Sequence, residues 1–315
     1  MKAVVGGGLV LAVAAAVLAP LGMGYLLYVL SLAGVYAIVG LGLTVLTGYT
    51  HQISLGHAGF LAIGAYTYVY LAAHTPLPLP LNLLIGGLAA ATVGYVVGVP
   101  AVRMRGPYLA MATLTFGLAV QRLALNWPAV TGGPLGFRVP RPRLLGLSLS
   151  SDAAMYALVW VLLLGLAWLT MNLHDSASGR AMRALRDSET GALVFGVDLA
   201  RAKSLAFAVS AFDTGVAGGL YALLVGYINV ESFSLWLSIS FFALPIIGGL
   251  GSVGGAVVGG LFMALVPYLL SGVPNLPGAV FGLSMILVMF FLPRGMWSLR
   301  GVVRRSWDVG RLTRG

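Results

Sequence analysis

The stretch YLLYVLSLAGVYAIVGLGLTVLT at residues 25–47 decides the fold class, because it contains no Asp, Glu, Lys or Arg. It belongs to a longer run, since none of these four residue types occurs between Lys2 and Arg103. About 20 consecutive apolar residues span a bilayer as a helix. The run must therefore contain several membrane-spanning helices, separated by glycine, proline and polar clusters. It predicts a polytopic helical membrane protein.

The composition of the whole chain agrees with this prediction. Of 315 residues, 59% are hydrophobic and only 8% are charged, whereas about 25% of the residues of an ordinary soluble domain are charged. So few charges cannot cover the cores that a soluble chain of this length would form. A soluble enzyme, a disordered chain and a fibrous repeat are therefore excluded. The absence of cysteine excludes a disulfide framework, a thiolate metal site and a cysteine nucleophile.

The apolar runs and the breaks between them predict an all-α transmembrane bundle of about ten spans, which form a single transmembrane domain over residues 1–315. The expected spans are 4–21, 25–47, 54–73, 81–101, 107–125, 153–173, 204–228, 235–250, 253–271 and 275–292. Ten spans divided five and five would place two halves in opposite orientations. Two pairs of glycines four residues apart, Gly94 with Gly98 and Gly255 with Gly259, are expected to allow close helix packing.

The positions of Lys and Arg predict the orientation, because short cytoplasmic loops carry an excess of both. With the N-terminus inside, 14 of the 18 cations fall on the cytoplasmic side. The four on the outer side are Arg122, Arg138, Arg141 and Arg143. Both termini are therefore expected in the cytoplasm, with residues 294–315 as a basic cytoplasmic tail. The net charge of +10 does not indicate nucleic-acid binding, because no basic stripe alternates with exposed aromatic residues.

Residues 174–203 form the largest internal polar segment and begin with good helix N-cap residues. Three arginines follow at helical spacing, namely Arg180, Arg183 and Arg186. One interpretation is a solvated basic loop. The other is a short amphipathic cytoplasmic helix that ends near Gly191 or Gly196 and docks on a partner. In that case Arg183 and Arg186 would pair with partner carboxylates, and Met182 and Leu185 would fill a groove in the partner.

Residues 126–151 form the largest segment on the predicted outer side. Their four prolines and several glycines forbid a continuous helix. We expect an ordered external loop or a short re-entrant element. Its arginines either are solvated as in any loop or meet acidic groups of an external partner.

The chain lacks the residues of common catalytic sites. A phosphate-binding loop needs Gly-x4-Gly-Lys-Ser/Thr, and neither of the two lysines, Lys2 and Lys203, follows such a sequence. The histidines lack the spacing of metal ligands; they are His51, His57, His74 and His174. We therefore expect no cofactor and no ATP hydrolysis by this chain, and an intramembrane enzyme has no nucleophile and base to support it.

Polar residues inside the spans are the candidates for a translocation pathway, because charged or polar groups in a membrane are rarely without a role. Asp213 lies near the middle of the predicted span 204–228. Gln52, Ser54 and His57 lie at the start of another span, among glycines that permit a broken helix beside a cavity. Each could instead be a satisfied packing residue. If Asp213 does have a role, one possible function of the chain is a secondary transporter driven by protons or sodium, with Asp213 as the coupling group. This is the main alternative to the function considered next.

Five blocks occur in an order that resembles the permease subunits of ATP-binding cassette (ABC) importers for branched-chain amino acids, and the LivM type more than the related LivH type. They are GYTHQISLGHAGFLAIGAYT (48–67), RMRGPYLAMATLTFG (103–117), TGGPLG (131–136), SGRAMRALRDSETGALVFGVD (178–198) and ESFSLWLSISFFALPIIGGLGSVGGAVVGG (231–260). The resemblance covers roughly residues 25–292.

The resemblance implies a bacterial or archaeal importer in the cytoplasmic (inner) membrane. Its other parts would be a second, LivH-like permease, two cytoplasmic ATPase subunits and an external solute-binding protein. It also implies that 178–198 is the cytoplasmic coupling segment. The residues matching the family pattern there include Arg180, Arg183, Arg186, Glu189 and Gly196. Related permeases carry urea, short amides or other hydrophobic amino acids, so the solute stays open at this point.

Overall fold

A computed structural model describes residues 24–104, 106–139, 143–144, 147–148, 151–270, 276–292 and 295–298. The predicted first span at 4–21 lies outside these residues, as does the predicted tail apart from 295–298. The described helices are α1 (Gly24–Leu43), α2 (His57–His74), α3 (Leu79–Ala101), α4 (Pro107–Asn126), α5 (Pro128–Thr131), α6 (Asp152–Asp175), α7 (Ala177–Asp187), α8 (Glu189–Val194), α9 (Leu199–Val225), α10 (Leu235–Gly248), α11 (Val253–Leu269) and α12 (Leu276–Phe291).

Shorter elements complete the described fold. A π-helical stretch, Thr44–Tyr49, continues α1, and single 3-10 turns lie at Gly133–Leu135, Val230–Phe233 and Met296–Ser298. Two-residue strands form two antiparallel pairs: β1 (Phe137–Arg138) with β4 (Tyr227–Ile228), and β2 (Arg143–Leu144) with β3 (Leu147–Ser148). The expected all-α class is confirmed, since these strands only pin loops together.

Six described elements are long and apolar enough to cross a membrane. They are Gly24–Tyr49, Leu79–Ala101, Pro107–Asn126, Asp152–Asp175, Leu199–Val225 and Val230–Gly248. The apolar helices near the C-terminus are shorter, and α2 is not among the six, because histidine, tyrosine and threonine interrupt its apolar residues. The chain is thus a multi-pass membrane protein. The number of ten spans stays a prediction.

Two central helices, α1 and α9, organise the bundle. Both are buried over most of their length and they pack against each other. α9 also packs against α2 and α3, while α1 packs against α6, α10 and α11. In addition, α2 contacts α3 and α4, and α10 contacts α11 and α12. The core therefore lies around two buried helices, and each of them packs against helices from the other half of the chain.

Glycines allow these helices to approach closely. A methyl group added at Gly98 of α3 would lie 2.7 Å from the Cα of Ser204 in α9. One added at Gly259 of α11 would lie 2.5 Å from the carbonyl oxygen of Leu244 in α10. Both distances are shorter than any carbon–backbone contact allows. The expectation that the two spaced glycine pairs serve helix packing is confirmed.

The close contact between Gly259 of α11 and Leu244 of α10 predicts that a larger residue at position 259 lowers the stability of the protein. Gly259→Ala should destabilise the purified protein by about 1–3 kcal/mol, because the added methyl group meets backbone that cannot move aside cheaply. The measurement is thermal unfolding in detergent. The matched control is Gly165→Ala in α6, where an added methyl group meets no atom within 4 Å. Equal melting temperatures for the two variants would show that α10 and α11 do not pack as described.

The two ends of the bundle differ in structure. α9 has 27 residues, so its ends lie about 40 Å apart. Helices α7 and α8 lie beside its N-terminus, and we name this the α7–α8 end. Strand β4 follows its C-terminus and pairs with β1, and we name this the loop end.

The loop end holds an ordered segment between Trp127 and Val139. The hydroxyl of Thr131 donates to the carbonyl oxygens of Ala124, at 2.5 Å, and of Trp127, at 2.8 Å. The amide of Val139 donates to the carbonyl oxygen of Gly226 at 3.0 Å. In its described residues this part of the predicted loop 126–151 contains no long helix, as its prolines and glycines predicted. An external position for the segment stays a prediction.

Candidate functional site

The α7–α8 end is built from short helices with well-defined starts. Ser176, Ser188 and Asp198 cap the N-termini of α7, α8 and α9, each accepting a hydrogen bond from a backbone amide in the first turn. Three caps within 23 residues divide the polar segment 174–203 into two short helices and the start of a long one. The predicted amphipathic helix is present as α7, but it ends at Asp187 and not near Gly191 or Gly196, because Ser188 starts the separate helix α8.

Three arginines of α7 bind backbone carbonyls of the same chain. Arg180 donates to Asp175 at 2.8 Å, and Arg183 donates to His174 at 2.9 Å. These are the last two residues of α6, where helix carbonyls have no partner within the helix. Arg186 instead donates to the carbonyl oxygen of Gly48 at 2.8 Å. The arginines therefore anchor α7 to the ends of α6 and of the π-helical extension of α1.

The expectation that Met182 and Leu185 fill a partner's groove is wrong. Their side chains are 0% and 2% exposed in this chain alone. Met182 packs in a hydrophobic cluster formed by the π-helical extension of α1 and by α2, α3, α4 and α9. Leu185 packs against Ala192 and Leu199. Helical spacing shows that apolar residues share a face, but not whether the same chain or a partner covers it.

A different apolar group is exposed at this end. Leu193, Val194 and Phe195 are 56%, 80% and 88% exposed, and we name these three residues the apolar tip. Gly196 follows with φ +77°, a conformation that glycine adopts without strain. The chain then turns back, and the amide of Val197 donates to the carbonyl oxygen of Ala192. The tip was not predicted, although three consecutive apolar residues in a polar segment were a signal for it.

Glu189 forms an ion pair within the chain. Its carboxylate accepts a hydrogen bond from the ammonium of Lys203 at 2.7 Å, and the Lys203 side chain is 2% exposed. The pair joins α8 to α9. A buried ammonium needs such a partner, because an unpaired charge is costly in an apolar interior. Glu189, which the sequence resemblance placed among the coupling residues, therefore orients α8 through a contact within its own chain.

Residues 51–56 lead back into the bundle without helical structure. The ring of Tyr49 packs edge-on against His174 at the α7–α8 end, whereas His57 hydrogen-bonds Ser210, twelve residues along α9 from its start. The amide of Leu55 donates to the hydroxyl of Thr113 at 2.9 Å. Irregular backbone at membrane depth is tolerated only where protein or a water-filled cavity surrounds it.

Two of the predicted pathway residues lie together in this region. The Nδ1 atom of His57 lies 3.2 Å from the hydroxyl of Ser54, and its Nε2 atom lies 2.8 Å from the hydroxyl of Ser210. All three side chains are buried. Both ring nitrogens therefore have partners, and the contacts fix how α2 packs on α9.

The other two predicted residues have unsatisfied polar atoms. Gln52 is buried, and neither atom of its side-chain amide has a hydrogen-bond partner among the described residues. Asp213 is buried with one carboxylate oxygen equally unpartnered within the described part of the chain. Asp213 lines a cavity of about 330 Å³ between α3, α6 and α9. Ser54 and His57 do not line this cavity, although Ser210, which contacts His57, lies three residues before Asp213 on α9.

Two further cavities lie along α4. The larger, about 410 Å³, is at the loop end and is lined by Gln121, Arg122, Leu125, Pro134, Asn229, Val230 and Glu231. The smaller is lined by Ala58, Leu114, Gly117, Leu118, Gln121, Phe233, Ser234, Leu235 and Ser238. Gln121 lines both, so the two are adjacent. The smaller cavity reaches the N-termini of α2 and α10, where the amide of Ala58 donates to the hydroxyl of Ser238 at 3.1 Å.

A metal centre has no support in the described residues, which contain no group of three or more His, Asp or Glu side chains placed to hold an ion. The arrangement instead combines three features: a helical membrane bundle, cavities along one helix and a braced pair of short helices at one end.

Comparison with known proteins identifies the family. Residues 25–291 match the family described as "Branched-chain amino acid transport system / permease component". The permease protein LivM of Escherichia coli K12 is 34% identical over 290 residues, covering 84% of this chain and 68% of LivM. LivH of Salmonella typhimurium is 25% identical over 284 residues, covering 84% of this chain and 92% of LivH.

An archaeal protein is also similar. The probable LivM of Methanocaldococcus jannaschii is 25% identical over 238 residues, covering 68% of both chains. No solved structure matches the chain. The family match covers most of the chain, and the LivM protein of Escherichia coli is more than 30% identical over most of it. The chain therefore belongs to the family of permease components of branched-chain amino acid transport systems.

Proposed function

We propose that the chain is one of two permease subunits of an ABC importer, and that it translocates branched-chain or other hydrophobic amino acids. A LivH-like permease would be its membrane partner. Two cytoplasmic ATPase subunits would supply energy, and an external solute-binding protein would deliver the solute. The similarity to both LivM and LivH proteins supports a pair of related permeases.

The braced apolar tip is the observation that carries the energy-coupling part of the proposal. Three exposed apolar side chains at the end of a short helix expose surface that is unfavourable in water and suited to a groove in a partner. The tip belongs to α8, which the Glu189–Lys203 pair holds against α9. α8 packs on α7, and Arg186 of α7 contacts the end of α1. Movement of an ATPase subunit against the tip would therefore reach both central helices.

The proposal also includes an orientation of the chain in the membrane. We expect α7 and α8 to lie on the cytoplasmic side, with the loop end outside, as the excess of inner cations predicts. ATP-driven closure of the two ATPases would push the α7–α8 end and reorient the permease pair from one side to the other. Both termini would then lie in the cytoplasm of a bacterial or archaeal cell.

The packing of the helices supports ten spans in two inverted halves. α9 packs against α3 and α2, and in the same way α1 packs against α11 and α10. Likewise α2 contacts α3 and α4, as α10 contacts α11 and α12. Exchanging α1–α4 with α9–α12 thus reproduces these contacts, as two structural repeats would. In this arrangement a span at 4–21 would correspond to α6.

Co-purification from the native membrane tests the proposed assembly. The chain should be recovered with one further permease and with two copies of ATPase subunits, identified by mass spectrometry. Recovery as a homo-oligomer without any ATPase, under conditions that preserve other ABC complexes, would contradict the proposal. The control is the same purification of a chain that carries Val194→Ser and Phe195→Ser in the apolar tip.

A second candidate function is supported by Asp213, whose unpartnered carboxylate oxygen lies beside a cavity. An ion-coupled transporter would use such a group to carry a proton or sodium. In that case the purified chain alone should take up leucine into vesicles under an ion gradient, and Asp213→Asn should abolish the uptake. The ABC proposal expects no uptake by the chain alone, and expects Asp213→Asn to retain ATP-driven uptake in the complex.

A further inference from the structure

The larger cavity along α4 combines opposite charges with apolar walls. Arg122 comes from α4, and Glu231 comes from the 3-10 turn that follows β4. Both side chains line the cavity of about 410 Å³. Neither of them takes part in an ion pair with another described residue. A cation and an anion in one cavity, each free of such a partner, suit a ligand that carries both charges.

The walls of the cavity are held in place. Asn229 accepts hydrogen bonds from the amide and the hydroxyl of Ser232, at 2.9 Å and 2.8 Å, and so fixes the turn that carries Glu231. The pairing of β1 with β4 joins this turn to the segment that contains Pro134. Walls fixed before binding reduce the entropy that a ligand must lose from the site.

The remaining lining is suited to an aliphatic group. Leu125, Pro134 and Val230 supply apolar surface, while Gln121 and Asn229 supply neutral amides. The volume falls in the range of small-molecule sites, which is about 300–1,000 Å³, and the lining is divided between apolar and polar side chains.

We propose that this cavity binds an aliphatic α-amino acid as its zwitterion. The guanidinium of Arg122 would hold the carboxylate, and the carboxylate of Glu231 would hold the ammonium. Leu125 and Val230 would contact the side chain. This assignment rests on the proposed transport of amino acids, and it adds where the solute first meets the permease and what it must carry.

The same chemistry separates solutes that related permeases carry. Urea and short amides have no formal charge, so they gain nothing from an Arg–Glu pair that is separated across a cavity. A zwitterion gains a charge-assisted hydrogen bond at each end, which is roughly twice as strong as a neutral one. Gln121 also lines the smaller cavity at the N-termini of α2 and α10. At about 10 Å³ that cavity is too small to hold an amino acid, so the proposed site is confined to the larger cavity.

A labelling experiment tests the site without relying on transport. The chain has no cysteine, so Leu125→Cys places a single thiol on the wall of the cavity. In the purified complex without the binding protein, millimolar leucine should slow maleimide labelling of this thiol several-fold. Leucinamide, 4-methylpentanoate and urea should protect it far less, because each lacks one charge or both. The label is quantified on this chain by mass spectrometry.

Matched variants assign the two charges. Arg122→Gln and Glu231→Gln, each added to Leu125→Cys, should raise the leucine concentration for half-protection by about tenfold or more. Arg138→Gln, at the same end but outside the lining, should leave it unchanged. The thiol of Leu135→Cys, whose parent residue is 84% exposed at this end, should be labelled at the same rate with or without leucine.

Two outcomes would overturn the site. The first is equal protection by urea or leucinamide, or no protection by leucine. The second is protection only when the binding protein is present without leucine, which would make the cavity a docking surface. If either occurs while the complex still shows ATP-driven leucine uptake, the site is wrong and the proposed function stands. If leucine protects the thiol but the complex shows no ATP-driven uptake, the site stands and the proposed function is wrong.

Discussion

A chain carrying Val194→Ser and Phe195→Ser should lose its ATPase subunits while it still inserts and folds. Both side chains are almost fully exposed and contact little of their own chain, so their removal should hardly change the stability of the bundle. As the centre of a docking surface, however, two such anchors should contribute enough that their loss weakens association by about a hundredfold to a thousandfold. The measurement is the affinity of the purified permease pair for the ATPases.

The matched control for this prediction is Leu135→Ser. Leu135 is 84% exposed and apolar, but it lies at the loop end, about the length of α9 away from the tip. ATPase binding should be unchanged in this variant. If the tip variant binds the ATPases as tightly as the original chain, the tip is not the docking surface.

Arg186→Gln should produce a different failure, in which the ATPases bind and hydrolyse ATP but uptake falls. Arg186 connects α7 to the carbonyl oxygen of Gly48 at the end of the central helix α1. A hydrogen bond from a charged donor contributes about 1.5–3 kcal/mol, so loss of this connection should lower the amount of solute transported per ATP by about tenfold or more. The measurement compares uptake with ATP hydrolysis in the same vesicles.

The control for the second variant is Arg201→Gln. Arg201 is an exposed arginine at the same end of the bundle, and its side chain has no described contact with α1. The ratio of uptake to hydrolysis should not change when it is replaced. If Arg186→Gln instead releases the ATPases, its guanidinium serves docking, as sequence spacing first indicated for the arginines of this segment, and not transmission.

Much of the helical bundle could be predicted from the sequence. Long uncharged runs predicted the helices α1, α3, α4, α6 and α9 within a few residues of their ends, because an apolar run longer than a bilayer has few alternatives to a membrane helix. Serine N-caps predicted the start of α7. The glycine pairs at Gly94 and Gly255 predicted close packing, because small residues are what helix contacts in membranes require.

The candidate site was less predictable, because it depends on which surfaces meet. Helical spacing cannot distinguish a face covered by a partner from one covered by the same chain, so Met182 was expected at a partner and is buried instead. The partner of His57 is Ser210, more than 150 residues away in sequence, and no local pattern connects them. Arg122 was counted only as an outer cation, because its shared cavity with Glu231 exists only once α4 and the turn after β4 are brought together.

The central claim is that this chain moves hydrophobic amino acids only as part of an ATP-driven assembly, and uptake in reconstituted vesicles tests it most directly. Vesicles would contain this chain, its partner permease and the ATPases, with the binding protein outside and ATP inside. We predict accumulation of labelled leucine that requires ATP and the binding protein and disappears with the Val194→Ser, Phe195→Ser variant. Accumulation without ATP, or by vesicles that contain this chain alone, would contradict the claim.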